Sequence, residues 1–468
     1  AKIDLNGNQI ILAGGMVLSN SFLSVENGTI KMMGDLNPEN NLSFSGNQLQ
    51  GISFDFEGEG QWKVRGSATI QKIEISNGVL DLENQEMTIA ELVIKDDFQG
   101  SINMKGAKIK ELEYLQVTSD KIITSAVTSF EMGSNGMIDA NGFSMLGKII
   151  TLQESNVEIH GNAVFANLAL SGTVTLTGNS SISNLELTAG TTLILASGST
   201  QRLTENIAIA ATANQRVMIK SEGTSKSSLN FVKYKKLCFD YIDIQNVDVL
   251  GLAVVNAGIN SLLTNAVGWS NSRCEEVLFP NFSAESLCAG SLVSFENLSQ
   301  GNIDRFEWNF NSALTPFTIN DDAGGRHVFS DPGAYSVTLT VSNSNQTRSH
   351  TQIVDVLSNS LDNNSIIHSN GRLSSVKAAE EYRWFKDGVE IPGEVGRSYT
   401  YSGSPGVYFV LTVAEVCNRI SSPYVVLSVL NNEKEIDTFD VFPNPVDDKL
   451  TIRINGLAND KTIIRLTD

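Results

Sequence analysis

Residues 156–195 read NVEIHGNAVFANLALSGTVTLTGNSSISNLELTAGTTLIL, and apolar residues alternate with polar ones through most of this stretch. An apolar-x-apolar segment begins at residues 157, 174 and 193, at steps of 17 and 19 residues. Alternation with a period of two places one side of an extended chain in a core and the other side in solvent. The stretch therefore predicts short, one-sided β-strands that recur at a nearly constant interval.

The same pattern extends over the first 209 residues, in eleven blocks whose starts are 16 to 22 residues apart. First strands are predicted at 3–5, 42–44, 62–64, 80–82, 102–104, 138–140, 157–159, 174–176 and 193–195, with weaker copies at Phe22 and Ile122. Second strands are clearest at 52–54, 73–75, 92–94, 168–170, 185–187 and 207–209. Each block thus predicts two strands, and a unit this small buries its apolar face only by stacking on its neighbours.

The second residue beyond most first strands is glycine or asparagine, which enter the left-handed backbone region at low cost. These corner residues are Gly7, Gly46, Gly66, Asn84, Gly106, Gly142, Gly161 and Gly178. A repeated sharp corner predicts a parallel β-helix whose coils lie ~4.8 Å apart. A stacked β-sandwich is the alternative. Leucine-rich and helical repeats are disfavoured, because the first needs a Leu-x-x-Leu-x-Leu motif and the second an apolar spacing of three and four.

Composition limits the functions that this chain of 468 residues can have. Its net charge of −19 argues against binding to nucleic acid or to an anionic membrane surface, since both need concentrated positive charge. The low content of charged residues and the 38 glycines are typical of an all-β protein. No run of eighteen apolar residues predicts a membrane-spanning helix. Because Ile3 already lies in a predicted strand, we expect further residues before Ala1 that cover the first coil.

The pattern predicts a β-helix over residues 1–270. Residues 254–269, VVNAGINSLLTNAVGW, resemble the closing segment of β-helical arrays in secreted proteins of Bacteroidota. In this interpretation Trp269 covers the open core of the last coil.

Regular strand spacing predicts a small β-sandwich over residues 278–358. This segment resembles a polycystic-kidney-disease (PKD) type domain, whose pattern is matched by Trp308, Phe310, His327, Phe329, Pro332, Gly333, Tyr335 and Val337. The Gly-Asp-Gly turn of that pattern is replaced by Asn311-Ser312-Ala313. His327 is expected to be packed rather than to act as a ligand.

Residues 359–430 resemble an immunoglobulin-like module of bacterial surface proteins. The resemblance implies a second sandwich with Trp384 in its core, a hairpin turn at Asp387-Gly388 and Tyr408 at its edge. The four cysteines are Cys238, Cys274, Cys288 and Cys417. Cys274 and Cys288 are the pair closest in sequence, so we consider a disulfide between them, with Cys238 and Cys417 as small buried residues.

The last predicted domain begins at residue 437 and continues to residue 468. Its sequence FDVFPNPVDDKLTIRI resembles the opening of the C-terminal sorting domain of type IX secretion substrates in Bacteroidota. The residues that match that signature are Phe442, Pro443, Asn444, Pro445, Asp448, Leu450 and Ile452. The resemblance implies a truncated third β-domain, export across the outer membrane, and a translocon and its shuttle protein as partners.

A catalytic site on a β-helix needs acidic side chains on adjacent coils. Alignment of the first strands places Asp139 and Glu158 together, ~5 Å apart as in a retaining glycosidase, with His160 close by. The acidic run Asp55, Glu57 and Glu59 is a weak candidate for a cation. Neither set is expected to be a site, and no cofactor motif is present, so the sequence favours a protein that is not an enzyme.

The leading hypothesis is a secreted or surface-displayed protein that adheres to polysaccharide or other surfaces. One alternative is a polysaccharide-cleaving enzyme that uses Asp139 and Glu158. Another is a structural stalk.

Overall fold

The computed structural model describes residues 2–18, 24–35, 39–44, 48–117, 122–285, 287–310, 317–319, 324–361, 363–414, 417–427, 438–442 and 451–455. Nearly all of this chain is β-structure. Within the described residues the one helical element is a 3-10 turn at Cys274–Glu276. The chain divides into two compact units, Ala1–Val277 and Leu278–Asp468.

The first unit is a solenoid of about 12 turns, built from short strands. In chain order these strands are β1 (Lys2–Asp4), β2 (Gln9–Leu12), β3 (Met16–Leu18), β4 (Ser24–Glu26), β5 (Gly28–Met32), β6 (Asn40–Phe44), β7 (Gln48–Phe56), β8 (Gln61–Arg65), β9 (Thr69–Ile75), β10 (Val79–Asp81), β11 (Glu86–Ile94), β12 (Ser101–Asn103), β13 (Lys108–Gln116), β14 (Ile122–Ile123), β15 (Ser129–Asp139), β16 (Ser144–Ile150), β17 (Asn156–His160), β18 (Val164–Leu170), β19 (Thr173–Thr177), β20 (Ser181–Leu187), β21 (Thr192–Leu195), β22 (Thr200–Ile209), β23 (Val217–Ser221), β24 (Ser227–Phe231), β25 (Lys236–Cys238), β26 (Ile242–Gln245), β27 (Val247–Gly251), β28 (Val254–Asn256), β29 (Leu262–Thr264) and β30 (Trp269–Ser270).

The strands of successive coils pair in parallel and form three faces of the solenoid. Face A is the ladder through Met87, Ile109, Phe130, Ile149, Leu168 and Leu185. Face B is the ladder through Phe54, Ile73, Leu92, Leu115, Ile138, Ile159, Leu176 and Leu195. Face C is the ladder through Trp62, Leu80, Ile102 and Ile122. Strands β7, β9, β11, β13 and β15 each bend, so that the start of the strand lies on face A and its end lies on face B. Each coil therefore has three faces, although only two strands per block were predicted.

One continuous apolar core fills the solenoid. Every ladder residue just named is buried, and all of them belong to a single hydrophobic cluster. A parallel ladder repeats one backbone position in each coil, so inward side chains stack on their own kind along the axis. The β-helix prediction is therefore confirmed, and the sandwich alternative for residues 1–270 is wrong because the described strands of this unit pair in parallel.

The predicted corners have the backbone that their residue types imply. A positive φ is found at Gly7, Gly66, Asn84, Gly106, Gly142, Gly161 and Gly178. Gly46 lies outside the described residues. The repeated corner is confirmed at each of the described positions.

The predicted first strands do not lie on one face. Leu80 pairs with Ile102 on face C, whereas Ile138 pairs with Ile159 on face B. The sharp corner follows face C as far as Gly106 and follows face B from Gly142 onward. Alternation identifies the inward side of each strand, but it does not reveal that the corner moves between faces.

Asparagine side chains link successive corners of the later coils. The Asn141 carboxamide oxygen accepts from the backbone N–H of Asn162, and Asn162 accepts from Asn179 at 2.7 Å. Asn179 in turn accepts from the N–H of Thr200 at 2.7 Å. These bonds satisfy backbone donors that the turn leaves without a strand partner.

The last coil ends at Trp269, which is buried and belongs to the solenoid core. Its indole N–H donates to the carbonyl of Val247 at 2.9 Å. The polar edge of the ring is therefore satisfied while its apolar body packs inward, as expected for a closing residue.

The second unit consists of small antiparallel sheets. Its strands are β31 (Phe282–Glu285), β32 (Leu292–Asn297), β33 (Arg305–Asn309), β34 (Phe317–Ile319), β35 (Arg326–Val328), β36 (Gly333–Ser342), β37 (Thr347–Val356), β38 (Ile366–Ser369), β39 (Arg372–Ser375), β40 (Glu381–Lys386), β41 (Val389–Glu390), β42 (Ser398–Thr400), β43 (Gly406–Ala414), β44 (Cys417–Ile420), β45 (Tyr424–Val426), β46 (Thr438–Phe442) and β47 (Thr451–Asn455). β31–β37 form one two-sheet module and β38–β45 form another. The order matches the prediction of a β-helix followed by small β-domains.

Each module is built around a buried tryptophan. Trp308 packs with Phe282 and Phe295 in the first module. Trp384 lies in the core of the second, and its indole N–H donates to the carbonyl of Gly396 at 2.9 Å. Asp387 and Gly388 both have positive φ and connect β40 to β41, which confirms the predicted hairpin turn.

The cysteines pair differently from the prediction. The disulfides are Cys238–Cys274 and Cys288–Cys417, so the expected Cys274–Cys288 bridge is wrong. Cys274 follows the last coil and meets Cys238 at the end of β25, a neighbouring coil that is distant in sequence. Cys288 meets the start of β44 in the other sandwich module. Coil stacking and sheet pairing, rather than sequence distance, bring each pair together.

The predicted sorting segment contains two paired strands. β46 and β47 are antiparallel, with Val441 opposite Ile452 and Phe442 opposite Thr451. The strand expected at the sequence LTIRI is therefore confirmed for residues 451–455. Pro443, Asn444, Pro445, Asp448 and Leu450 lie outside the described residues.

The corner geometry predicts unequal effects for two glycine substitutions. Gly161 has φ +96°, and a Cβ there would lie 2.8 Å from the Cα of Asn141 in the neighbouring coil. Gly198 has φ +77°, and a Cβ added to Gly198 would have no atom within 4 Å. Gly198→Ala should cost the ~1 kcal/mol of a left-handed residue, and Gly161→Ala should cost more because the coils must also separate. Urea unfolding followed by circular dichroism measures both, and equal losses would contradict this account of the corner.

Candidate functional site: the outward surface of face B

Face B carries the longest uninterrupted row of outward side chains in the described solenoid. The row runs through twelve paired positions: Thr29, Ser53, Lys72, Glu91, Tyr114, Met137, Glu158, Thr175, Ile194, Lys220, Gln245 and Thr264. A second row beside it runs through Lys31, Asp55, Glu74, Val93, Gln116, Asp139, His160 and Thr177. Alternation places both rows outward because Ile73, Leu115 and their equivalents point inward.

Tyr114 lies near the middle of the first row, between Glu91 and Met137. Partial burial raises the pKa of its hydroxyl, and the charges of Asp139 and Glu91 raise this pKa further. The phenol therefore stays protonated at physiological pH and presents both an aromatic ring and a hydrogen-bond donor.

Asp139 and Glu158 do not stack as the sequence alignment predicted. The partner of Asp139 in the next coil is His160, and the partner of Glu158 is Met137. The two carboxylates are therefore diagonal, roughly 8 Å apart at their Cα atoms from strand geometry, and the directly opposed pair is wrong. The error arises because the corners Gly142 and Gly161 lie two residues out of register within face B, since Ile138 pairs with Ile159 and not with Val157.

The structure does bring His160 between the two carboxylates. Its Nε2 lies 2.8 Å from the Oε2 of Glu158 two residues earlier, and the backbone of Asp139 lies opposite. The side chains of His160 and Glu158 are 39% and 46% exposed. Asp139, Glu158 and His160 thus form an open polar patch beside Tyr114.

A network of charged side chains occupies face B in the early coils. Lys31 Nζ lies 2.5 Å from Glu57 Oε2, and Glu74 accepts from Lys72 at 2.5 Å and from Lys95 at 2.6 Å. Asp55 lies between Lys31 and Glu74 in the second row. Lys72 and Lys95 form their ion pairs with Glu74 and not with Asp55. Glu57, which was weighed as part of a cation site, is thus neutralised by Lys31.

Asp55 is the strained member of this network. Burial raises its pKa to about 6, helped by a hydrogen bond to Glu57 and by the negative charges of Glu57 and Glu74, against a smaller opposing effect of Lys95. One oxygen of the Asp55 carboxyl is buried without a hydrogen-bond partner among the described residues. Ionising this carboxyl is therefore costly near neutral pH.

The described residues contain no group of three or more histidine, cysteine, aspartate or glutamate side chains arranged to hold a metal ion. Among the residues that the structure describes, no helix is long and apolar enough to cross a bilayer.

His327 in the first sandwich module is a packed histidine, as expected. Its ring stacks on Phe310 at 4.6 Å and meets the edge of Phe329 at 4.7 Å. Burial lowers the pKa of its imidazole, which favours the neutral form. Its role is therefore in packing.

Two residues of the face B surface were missed from the sequence. Tyr114 and Glu91 lie outside the predicted first strands, and only the first strands were aligned. The signal was present in residues 114–117, where buried Leu115 and Val117 alternate with outward Tyr114 and Gln116. What concealed it is Glu111, whose positive φ interrupts the alternation earlier in β13.

Comparison with known proteins concerns the first sandwich module. Residues 281–357 match the PKD domain family. No curated protein matches the chain. A PKD domain on the same chain as a β-helix suggests an extracellular protein of adhesion-like or structural character.

The unfavourable ionisation of Asp55 predicts a pH-dependent gain in stability for Asp55→Asn. With a pKa of about 6 in the folded state and 3.8 when unfolded, the folded protein binds more protons between these values and loses stability as the pH rises through them. Asp55→Asn removes this loss, so its melting temperature should exceed that of the wild type above pH 6 and approach it near pH 4.

Asp243→Asn is the matched control, because Asp243 accepts two hydrogen bonds from the Arg216 guanidinium. This substitution should lower the melting temperature at neutral pH. Thermal unfolding followed by circular dichroism from pH 4 to pH 8 measures both variants. A constant offset between Asp55→Asn and the wild type at every pH would count against the ionisation argument.

Proposed function

We propose that the protein is a secreted or surface-displayed, non-enzymatic adhesin-like protein that binds an extended polysaccharide along face B. The observation that supports this most is the row of outward side chains at paired positions, which offers an extended polymer a contact at a regular spacing in successive coils. Tyr114 supplies a ring on which a sugar can stack, Gln116 supplies a polar group beside it, and Thr175 and Thr177 supply polar groups three coils further along the same rows.

The charge of this surface favours a neutral or cationic polysaccharide. Outward residues of face B from Tyr114 to His160 include Asp139 and Glu158 but no lysine or arginine among the described positions. A polyuronate or sulfated glycan would meet carboxylates of its own sign there.

A binding role is preferred to catalysis because Asp139 and Glu158 are not directly opposed, as the expected retaining pair would be. Glu158 is occupied by His160, and Asp139 lies diagonally from it rather than opposite. An open, solvent-screened arrangement gives no reason for one carboxyl to act as acid and the other as nucleophile.

Substitutions on face B should weaken polysaccharide binding. With a panel of a neutral glucan, chitosan and a polyuronate, the full chain should bind the first two and not the third. Tyr114→Ala should weaken binding about tenfold, which corresponds to ~1.4 kcal/mol, because the stacking surface is lost. Glu158→Gln should selectively weaken binding to chitosan by removing a negative charge.

Glu186→Gln is the control, since Glu186 lies on another face and pairs with Lys148 at 2.9 Å. Titration calorimetry with thermal melts separates lost affinity from lost folding. Binding that is indifferent to Tyr114→Ala would exclude face B as the site. Release of reducing ends that Asp139→Asn abolishes would favour the enzyme instead, and binding to none of the glycans would favour a structural stalk.

We further propose that the protein leaves the cell through a type IX system, with the outer-membrane translocon and its shuttle protein as partners of the C-terminal domain. The support is the resemblance of residues 439–454 to the opening of a sorting domain, together with the pairing of strands β46 and β47, which precede and follow the Pro-Asn-Pro sequence in the chain. Passage through the periplasm would also permit both disulfides to form.

Replacing the Pro-Asn-Pro sequence should block export. In a bacterium that has a type IX system, the full chain with Pro443→Ala, Asn444→Ala and Pro445→Ala should accumulate inside the cell, because the extended entry fixed by the prolines is lost. Pro332→Ala, at an exposed loop position of the PKD module, should be exported normally. Immunoblots of surface, periplasmic and medium fractions measure the distribution, and normal export of the triple variant would refute the sorting assignment.

A further inference from the structure

The Cys288–Cys417 disulfide joins two sandwich modules across 129 residues of sequence. Cys288 precedes β32 and Cys417 begins β44, so β32–β43 all lie between the two cysteines. The buried core of the second module also lies inside this interval: it contains Ile366, Leu373, Tyr382, Trp384, Tyr408 and Val410.

The core of the first module lies almost entirely inside the same interval. Of its buried residues, Leu278 and Phe282 precede Cys288, and the others run from Ala289 to Val356. The PKD module and the immunoglobulin-like module are therefore enclosed by one covalent loop.

A polar contact near the bridge joins the same two modules. Arg419, in β44 of the second module, donates to the carbonyl of Gly290 in the first module at 3.1 Å. On the first module's side, the backbone N–H of Ala289 donates to the carbonyl of Leu357 at 2.9 Å, and the side-chain amide of Asn359, in the segment that leads to β38, lies 3.4 Å from the hydroxyl of Ser291. The bridge is thus accompanied by a hydrogen bond between the modules and is not an isolated crosslink.

We propose that this disulfide is a mechanical bypass that keeps both sandwiches folded when the chain is under tension. A pull transmitted along the backbone to Cys288 crosses the S–S bond to Cys417 and continues from there. Hydrogen bonds and cores inside the loop carry none of that pull, because no force acts between their ends.

The strands that remain in the path of the pull are short. β31 lies before Cys288 and pairs with β32, and β44 and β45 lie at or after Cys417 and pair with β43. These strands remain exposed to the pull: peeling of β31 would remove Phe282 from its contact with Trp308, whereas the strands from β32 to β43 stay shielded. The second disulfide acts in the same way at the end of the solenoid, since β26–β30 lie between Cys238 and Cys274.

The proposal concerns mechanics and does not depend on the ligand or on the export route. The intact disulfide limits how far the chain can extend under tension. Such a limit suits a protein that is anchored at one end and bound to a ligand at the other.

Single-molecule stretching of the full chain tests the bypass, with peptide-tag handles at its two ends that involve no thiol. The fully stretched wild type should be shorter than the Cys288→Ser, Cys417→Ser double variant by about 430 Å, the reach of the 129 residues released. The variant should also show unfolding steps of the two sandwiches that the wild type lacks. The Cys238→Ser, Cys274→Ser variant is the control, and it should gain only about 120 Å from its loop of 36 residues.

If the double variant fails to fold, the wild type is stretched before and after a dithiol is added. Each bridge then takes up two electrons and two protons to give two thiols, while the dithiol closes to its own disulfide. Because both bridges open, the added length should be about 550 Å, the reach of the two released loops together. Equal stretched lengths with and without the Cys288–Cys417 bond, or sandwich unfolding steps in the oxidised wild type, would overturn the proposal.

Discussion

The solenoid depends on one repeated constraint: each coil must place its inward side chains above those of the previous coil while its backbone pairs in parallel. Ile138 on Ile159, and Ile159 on Leu176, show both halves of this constraint at once. A single coil has neither a core nor a hydrogen-bond partner, so its stability comes from its neighbours. The outward side chains are then free to vary, which is why face B can display Tyr114, Asp139 and His160 without disturbing the core.

Much of the fold follows from period-two alternation and corner residues. The inward positions of β8, β10, β17, β19 and β21 could be predicted from the sequence, as could the positive φ of Gly161 and Gly178. These features are local, because a residue two positions away or a turn decides them. The tryptophan cores of the sandwiches were also predictable, since Trp308 and Trp384 each stand in a short alternating strand.

Features set by pairing between coils were not predictable. The sharp corner passes from one face to another between Gly106 and Gly142, and no local pattern announces the change. Register is hidden in the same way: Asp139 was aligned with Glu158 although its neighbour is His160, because the corners Gly142 and Gly161 lie two residues out of register within face B. The predicted Cys274–Cys288 disulfide was wrong because cysteine pairing also depends on contacts between segments that are distant in sequence. Cys274 is close to Cys288 in sequence, but the stacking of the last coils brings it to Cys238.

The two kinds of unit solve the problem of a small core differently. The solenoid adds coils to one continuous cluster, whereas the described core of the second sandwich module contains only six buried residues. Small domains bury too little surface to be robust alone and rely on crosslinks or partners. A covalent bond from Cys417 to Cys288 therefore matters most where the core is least extensive, because it restricts the unfolded states of both modules together. The bond that limits this entropy is also the one that would carry tension past them, so stability and mechanical shielding have one physical origin.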